Sequence, residues 1–383
     1  MPPLDRPLRL LKVVPYPVFP DSAGGKIRVV QLSRALARAG VDVTILTPWH
    51  PRQKPSLYEH EPFRLRQVPY PFVLPLLFTD RPLPYQYLSS FHPGLGWLAA
   101  SSLRGCDIYH FEHPQFASLA RRLPAAANVI YGSHNVEHDY VVQECRSEWA
   151  ARVAKARLFA LERSLLERSQ HVFAVSQADR DRFSELYPVD AGKITVAPNG
   201  IGDLRPLGTD QTRVLQRFPQ IASYASRAVY SGSDVEHNRA AVRFICDELA
   251  PLRPDVAFVI HGSCGRQFTG IGRTPNVFFD TDPFRFDDYA VTGFVGINPV
   301  TTGGGTNLKV LHYLSRGLPV ISTPFGMRGH EDFRRAVTVC ELADFSDALK
   351  NPAAAVAPDR QMLEKYRWDS VARTMLTVYE RLT

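Results

Sequence analysis

Short apolar runs alternate along the chain with longer amphipathic stretches, the pattern of parallel strands buried on both faces and joined by helices. Leu8 to Val14 predicts a strand. Lys26 to Ala39 predicts a helix that buries Ile27, Val30, Leu32, Leu36 and Ala37 and ends at Gly40, and Val41 to Thr47 predicts the next strand. The loop PYPVFPDSAGG between them places Gly24 and Gly25 at the carboxyl ends of the strands, where open α/β sheets bind ligands. Two further strands, Asp107 to Phe111 and Asn128 to Tyr131, each run into polar residues. His110, Glu112 and His113 follow the first, and His134, Asn135 and Glu137 follow the second, so both clusters are predicted on the edge that carries Gly24. Tyr140 to Arg168 has helical period and predicts one long helix packed on this domain through Trp149, Val153, Leu158, Leu161 and Leu165. A strand from His171 to Ser176 and a short helix follow it.

The pattern restarts after the Asn199-Gly200 turn. Ala228 to Ser231, Ala257 to His261 and Asn276 to Phe279 predict strands, the first two joined by a loop and helix within GSDVEHNRAAVRFICDELAP. In the stretch VTTGGGTNLKVLHYLSRGLPVISTPFGMRG, three glycines precede a helix that Thr306 or Asn307 can cap, with Leu308, Val310, Leu311 and Leu314 at helical spacing. The amino end of such a helix suits an anion, and Lys309 in its first turn adds a cation that could meet a diphosphate. Leu318 to Ser322 predicts another strand, and Met362 to Leu382 predicts a terminal amphipathic helix bearing Trp368, Val371, Ala372, Met375, Leu376 and Tyr379.

Composition narrows the class. With 383 residues, 45% of them hydrophobic, the chain suits two α/β domains with separate cores. No run reaches the roughly twenty apolar residues of a membrane span, and the start has too short an apolar stretch for a signal peptide, so a cytoplasmic protein is expected. Five cysteines without a CxxC spacing argue against a disulfide framework or structural zinc. A net charge of +7 fits anionic ligands or a membrane face, and nothing reads as a nucleic-acid-binding signature. Pro48 to Pro93 is rich in proline and aromatics and is expected to drape over the surface, packing on its own domain or resting on an acceptor.

GGGTNLKVLHYLSRGLPVIST resembles the donor-binding segment of family-four GT-B glycosyltransferases. Further likenesses occur in the family order: the GGxxxR loop in Gly24-Gly25-Lys26-Ile27-Arg28, a strand-end histidine in SHNVE at His134, the loop GSDVEHN with Gly232 and Asn238, the interdomain crossing PNGI, and the terminal YRWDSVA. The resemblance implies two doubly wound Rossmann-like α/β domains facing a cleft, with the terminal helix crossing back to the first. The implied domains are 1–200 on the acceptor side, 201–362 for a nucleotide-sugar donor, and 363–383 as the returning helix, with a hinge near Asn199.

The same resemblance implies sugar transfer from a nucleotide-diphosphate donor to a hydroxyl acceptor with retention and without a metal or cofactor. The acceptor would be a glycan, a glycolipid or a small molecule, and contact with the inner membrane face is part of the expectation. Lys309, His134 and Arg28 are the implied catalytic residues. Gly24, Gly25, Gly232, Asn238, Gly262, Gly304, Gly305, Thr306, Asn307 and His312 are the implied donor contacts, and His110, Glu112, His113 and Glu137 stand on the acceptor side. The family pattern has glutamates where this chain has Gly304 and His312; the first loss recurs in the GGGT branch, and the second leaves open a silent relative that binds without transferring or acts as a partner subunit. Arg28 also admits a plain reading as a solvated helix charge.

Two metal motifs have ordinary readings. His134 to His138 spells HxxEH, but zinc ligation needs both histidines on one helix face, and Gly132-Ser133 marks a strand-to-loop transition instead. Asp280-Thr281-Asp282 spells DxD ahead of Pro283, where turn and capping duty explains both aspartates.

Overall fold

The computed structural model describes residues 6–21, 23–50, 53–68, 105–145, 147–204, 208–269, 274–282, 286–352 and 358–383. Of the proline-rich stretch from Pro48 to Pro93, residues 51–52 and 69–93 lie outside the described residues, and Arg64–Val68 within it forms a strand. The chain forms two compact units, Met1–Asn199 with Trp368–Thr383, and Gly200–Arg367.

The first unit holds seven parallel strands: β1 (Arg9–Val13), β2 (Asp42–Pro48), β3 (Arg64–Val68), β4 (Ile108–Glu112), β5 (Asn128–Gly132), β6 (His171–Ala174) and β7 (Ile194–Val196), in the order β3-β2-β1-β4-β5-β6-β7. Leu10 and Leu11 of β1 pair with Val43 and Thr44 on one side and with Ile108 and Tyr109 on the other. The order reverses at β1, which puts a switch point at the carboxyl ends of β1 and β4, beside α1 (Gly24–Arg38). Edge strand β3 was not anticipated. Its sequence RLRQV alternates outward Arg64 and Arg66 with partly buried Leu65, a half-buried signal inside a segment dominated by proline.

The expected helix from Tyr140 to Arg168 is two helices, α2 (Glu137–Glu144) and α3 (Glu148–Arg168), because Cys145 turns extended at φ −93° and ψ 138°. Leu158, Leu161 and Leu165 of α3 are buried, but Trp149 is 69% exposed and Val153 41%, so the expected packing stripe stops short of the helix start. Glu162 of the same helix anchors it to the sheet: its carboxylate accepts from Tyr131 Oη and Tyr187 Oη, each at 2.7 Å, and from the amides of Glu137 at 3.2 Å and His138 at 3.4 Å. Next comes α4 (Gln177–Leu186), which Ser176 caps by accepting from Asp179 N.

The second unit is a six-stranded parallel sheet in the order β10-β9-β8-β11-β12-β13. Its strands are β8 (Ser226–Ser231), β9 (Val256–His261), β10 (Val277–Asp280), β11 (Phe294–Asn298), β12 (Val320–Ser322) and β13 (Thr338–Val339). The switch point falls between β8 and β11, and the loops after those strands open into α5 (Glu236–Phe244) and α6 (Leu308–Ser315). The Cβ-free face of Gly296 in β11 lets the Tyr313 ring of α6 pack down, since a Cβ there would come within 2.5 Å of it.

The predicted terminal helix also divides. Tyr366 ends the helix Arg360–Lys365, its carbonyl accepts from Ile201 N at 2.8 Å, and α7 (Trp368–Leu382) then starts. This last helix belongs to the first unit and lies along α1, where Arg38 pairs with Asp369 at 2.5 Å. Among the described residues no helix is long and apolar enough to cross a membrane.

Candidate active site

In the first unit the strand-end residues form one buried network. Lys12 on β1 donates to Oε1 of Glu112 on β4 at 2.9 Å, and Oε2 of Glu112 lies 2.7 Å from His134 Nε2. Burial alone would raise the Glu112 carboxyl, but Lys12, His110 and His134 around it override this and hold it well below its usual range. The negative carboxylate therefore takes the proton-bearing Nε2 of His134 and leaves Nδ1 as the acceptor nitrogen. Burial, with His113 nearby, pushes His134 down to about 4, so its ring is neutral near pH 7.

The GG loop meets this network through Gly25. A Cβ there would lie 2.9 Å from Tyr16 Oη and 3.2 Å from His134 Nδ1, so only glycine lets the backbone and both side chains share the space. His113 forms a second histidine–carboxylate pair. Its Nδ1 is 2.7 Å from Glu137 Oε1, its Nε2 is 3.1 Å from Tyr16 Oη, and its ring centroid is 4.2 Å from that of His134. Among the described residues it is the one non-glycine with positive φ, at 72°, the sort of backbone strain that a well-braced site retains.

His110, expected on the acceptor side, and Arg28, expected to be catalytic, both have buried partners. His110 points inward: its Nδ1 is 2.8 Å from Tyr379 Oη of α7, and burial drives it down to about 3. Gly132 makes room for it, because a Cβ would come within 2.1 Å of His110 Nε2. Arg28 is no solvated charge. At 2% exposure it donates to the carbonyls of Ala197 at 2.7 Å and Pro198 at 2.8 Å and to Asn199 Oδ1 at 3.2 Å, fastening the crossing turn to α1. Gly24 is the first residue of α1, which no side chain caps.

In the second unit Lys309 is the centre. Its ammonium donates to Asn238 Oδ1 at 2.9 Å and Tyr230 Oη at 3.1 Å, and it stands 4.5 Å from the Tyr230 ring centroid. Tyr230 donates to the same Asn238 oxygen at 2.8 Å, and Asn238 Nδ2 donates to Ser233 O at 2.9 Å. A Cβ at Gly232 would meet Asn238 Cγ at 2.9 Å, so this glycine keeps the asparagine in place. Burial, with no carboxylate against the ammonium among the described residues, lowers Lys309 to about 7. A partly buried cation held by neutral oxygens and a ring suits an anion.

The glycine loop approaches the same place. Gly303 and Gly305 have φ of 131° and 57°, and Asn307 is the residue before α6 but makes no side-chain cap. The carbonyl of Gly305 accepts from Arg328 Nε at 3.1 Å and Nη2 at 2.6 Å, and that of Asn307 lies 3.0 Å from His330 Nε2. These bonds brace the loop through its carbonyls where it enters α6, and Val310 N in the first turn donates to Asn307 O at 3.1 Å. Gly262, at φ 96°, ends β9 against the Gly232 carbonyl, which a Cβ would meet at 2.5 Å. His312 is partly buried on α6. Burial and Arg316 push it down to about 4, so it is neutral at pH 7.

The metal motifs resolve locally. Helix α2 begins at Glu137, after His134, and His138 Nδ1 instead lies 3.1 Å from Asp139 Oδ1, so the two histidines do not share a helix face. Asp280 is fully buried, accepts from Tyr289 Oη at 2.5 Å and pairs with Arg217, and it turns the chain by accepting from Asp282 N at 3.2 Å. No group of three metal-ligating side chains occurs among the described residues.

Two parallel sheets, each with a switch point in its strand order, define an α/β architecture of the GT-B kind. Residues 23–203 match the family model of Glycosyltransferase Family 4, and the fold is that of GT-B glycosyltransferases. It is similar in fold to sucrose-phosphate synthase from Thermosynechococcus elongatus, with TM-score 0.71, 17% identity, and coverage of 98% of this chain and 99% of that one. Anabaena HepE, solved in complex with UDP, gives TM-score 0.66 at 12% identity, with 98% and 100% covered. WaaG, a glycosyltransferase involved in lipopolysaccharide biosynthesis, gives TM-score 0.66 at 15% identity, with 97% and 99% covered. No curated protein matches the chain by sequence.

Proposed function

We propose that the protein transfers a sugar from a nucleotide-diphosphate donor to a hydroxyl acceptor, with retention at the anomeric carbon and without a metal. The observation that carries this reading is Lys309, a cation with no carboxylate partner among the described residues, held by Asn238 and Tyr230 in the first turn of the helix that follows the glycine loop. As the bond between the anomeric carbon and the diphosphate oxygen breaks, charge gathers on the diphosphate. Lys309 and the amides of Gly304 to Thr306 offset that charge. Similar folds solved with UDP or UDP-glucose support a nucleotide-sugar donor. His134, neutral and with Nδ1 facing Gly25, suits the donor sugar or the acceptor hydroxyl as a hydrogen-bond acceptor. The acceptor would be a glycan, a glycolipid or a small molecule, and a lipid-linked one would bring the protein to the inner membrane face.

The test is product analysis: the anomeric configuration of the glycoside by NMR, with donor turnover followed in the presence and absence of chelator. Retention and unchanged turnover are expected. Inversion, or loss on chelation restored by manganese, would contradict the reading. A silent binding subunit is the second reading, favoured by the imidazole of His312 where the family pattern has a carboxylate; it predicts donor binding with no release of nucleotide diphosphate.

A further inference from the structure

His237 sits at the glycine loop that precedes α6. It is the second residue of α5, and its ring packs on Gly303, where a Cβ would lie 3.3 Å from both Cγ and Nδ1. Gly303 leads into the turn that opens α6, and its φ of 131° keeps the backbone in a region that only glycine adopts easily. Asn238, the next residue along α5, holds Lys309.

Two basic side chains thus converge on one loop without an acid between them. The charged groups acting on His237 are Lys309 from α6 and Arg239 and Glu236 from its own helix. Glu236 is already occupied, by Arg239 at 2.9 Å and Arg243 at 2.5 Å, and Arg239 also takes Asp234 at 2.8 Å. Cys264, from the segment packed beside α5, acts on Lys309 and is itself a neutral thiol, pushed up to about 12 by burial. Burial and Lys309 together push His237 down to about 4. A proton on this ring is therefore unfavourable in the free protein, and a bound dianion would reverse the balance.

We propose that His237 is a second cation for the donor diphosphate, neutral in the free protein and protonated as the diphosphate seats beside Gly303. The inference rests on the donor reading above and adds a residue and a proton to it. Donor binding then takes up a proton near neutral pH, and donor affinity rises as the pH falls toward 6.

UDP-, GDP-, ADP- and dTDP-glucose serve as probes, since their diphosphates do not titrate in this range. Calorimetric titration at about pH 6, in two buffers of different ionisation enthalpy, counts the protons taken up; at that pH Lys309 is already mostly charged, so its share is small. Wild type is expected to take up about half a proton or more per sugar nucleotide bound. His237→Gln should take up almost none and bind about tenfold more weakly, whereas Lys309→Met should bind weakly but keep the uptake. Equal uptake by wild type and His237→Gln, with or without a loss of affinity, would overturn the role of His237 and leave the donor reading standing. Failure of all four probes to bind wild type would overturn both.

Discussion

His134 Nε2 and Glu112 Oε2 lie 2.7 Å apart, and the other oxygen of that carboxylate takes Lys12 at 2.9 Å, all three side chains being buried. One carboxylate thus neutralises a lysine and orients a histidine. Removing it leaves a buried ammonium without its counter-charge, which typically costs about 3–5 kcal/mol. Glu112→Gln should lower the midpoint of urea unfolding accordingly at pH 7, and the double variant Lys12→Met with Glu112→Gln should recover part of the loss. The folded carboxyl is depressed below the ordinary 4.5. Its contribution is therefore fully present above that value and fades as the pH falls below it, so the gap between wild type and Glu112→Gln should narrow in acid. A constant gap from pH 7 to pH 3 would contradict the pairing.

Arg28→Met should act on the crossing turn. The guanidinium is the donor to two carbonyls and one side-chain oxygen there, and each buried acceptor left unpaired costs about 1–3 kcal/mol. We expect destabilisation of about 2–4 kcal/mol in urea unfolding. Proteolysis should also become faster at Ala197 to Asn199. Wild-type stability in the variant would show that these bonds are dispensable.

Glu162→Ala should be about as severe. It strands two tyrosine hydroxyls and two amides that now converge on one carboxylate, and a loss of about 3–5 kcal/mol is expected by thermal or urea unfolding. A loss below about 1 kcal/mol would mean that water replaces the carboxylate without cost.

Much of the frame was legible in residue pattern alone, because strands buried on both faces announce themselves as apolar runs; β1, β2, β4, β5, β8 and β9 fall where such runs occur. What the pattern hid has physical causes. Strand β3 is charged on its outward face, β11 is interrupted by Gly296, and β13 has two residues, so none of them presents a long apolar run. Helical period runs unbroken through Cys145 and through Tyr366, yet Cys145 turns extended and Tyr366 gives its carbonyl to Ile201, which no local signal announces. The site was legible as motifs and illegible as a network. Lys12 and Glu112 are 100 positions apart, and His110 and Tyr379 are 269 apart, so their pairing depends on which strands become neighbours. Tyr230 and His237 beside Lys309 went unnoticed for the same reason.

His312 bears on the choice of donor. A neutral imidazole offers one acceptor nitrogen, where a carboxylate can accept from both ribose hydroxyls. A dTDP-sugar lacks the 2′ hydroxyl and loses less from this exchange. Paired kinetics of wild type and His312→Glu with UDP- and dTDP-linked forms of one sugar should show the glutamate variant moving preference toward UDP. If wild type prefers the UDP form by about tenfold or more, which is about 1.4 kcal/mol, and the variant barely changes that ratio, the idea is wrong.

Lys309 also sets a pH limit. With its ammonium lowered to about 7, the free protein loses the cation as the pH rises through that value. The kcat/KM for donor should therefore decline above about pH 7, and Lys309→Arg, which stays charged, should move that limb upward even if its turnover is lower. A profile flat from pH 6 to pH 9 in wild type would show that the charge of Lys309 is not needed.

In the proposed reaction Lys309 meets the diphosphate of a sugar donor. The most direct measurement is the rate of nucleotide-diphosphate release from the sugar nucleotide that wild type turns over best, compared between wild type and Lys309→Ala at matched folding, judged by thermal unfolding. Loss of one such group typically slows turnover about a hundredfold to a thousandfold, and that is the expected result with the fold intact. Release within about twofold of wild type would contradict the claim.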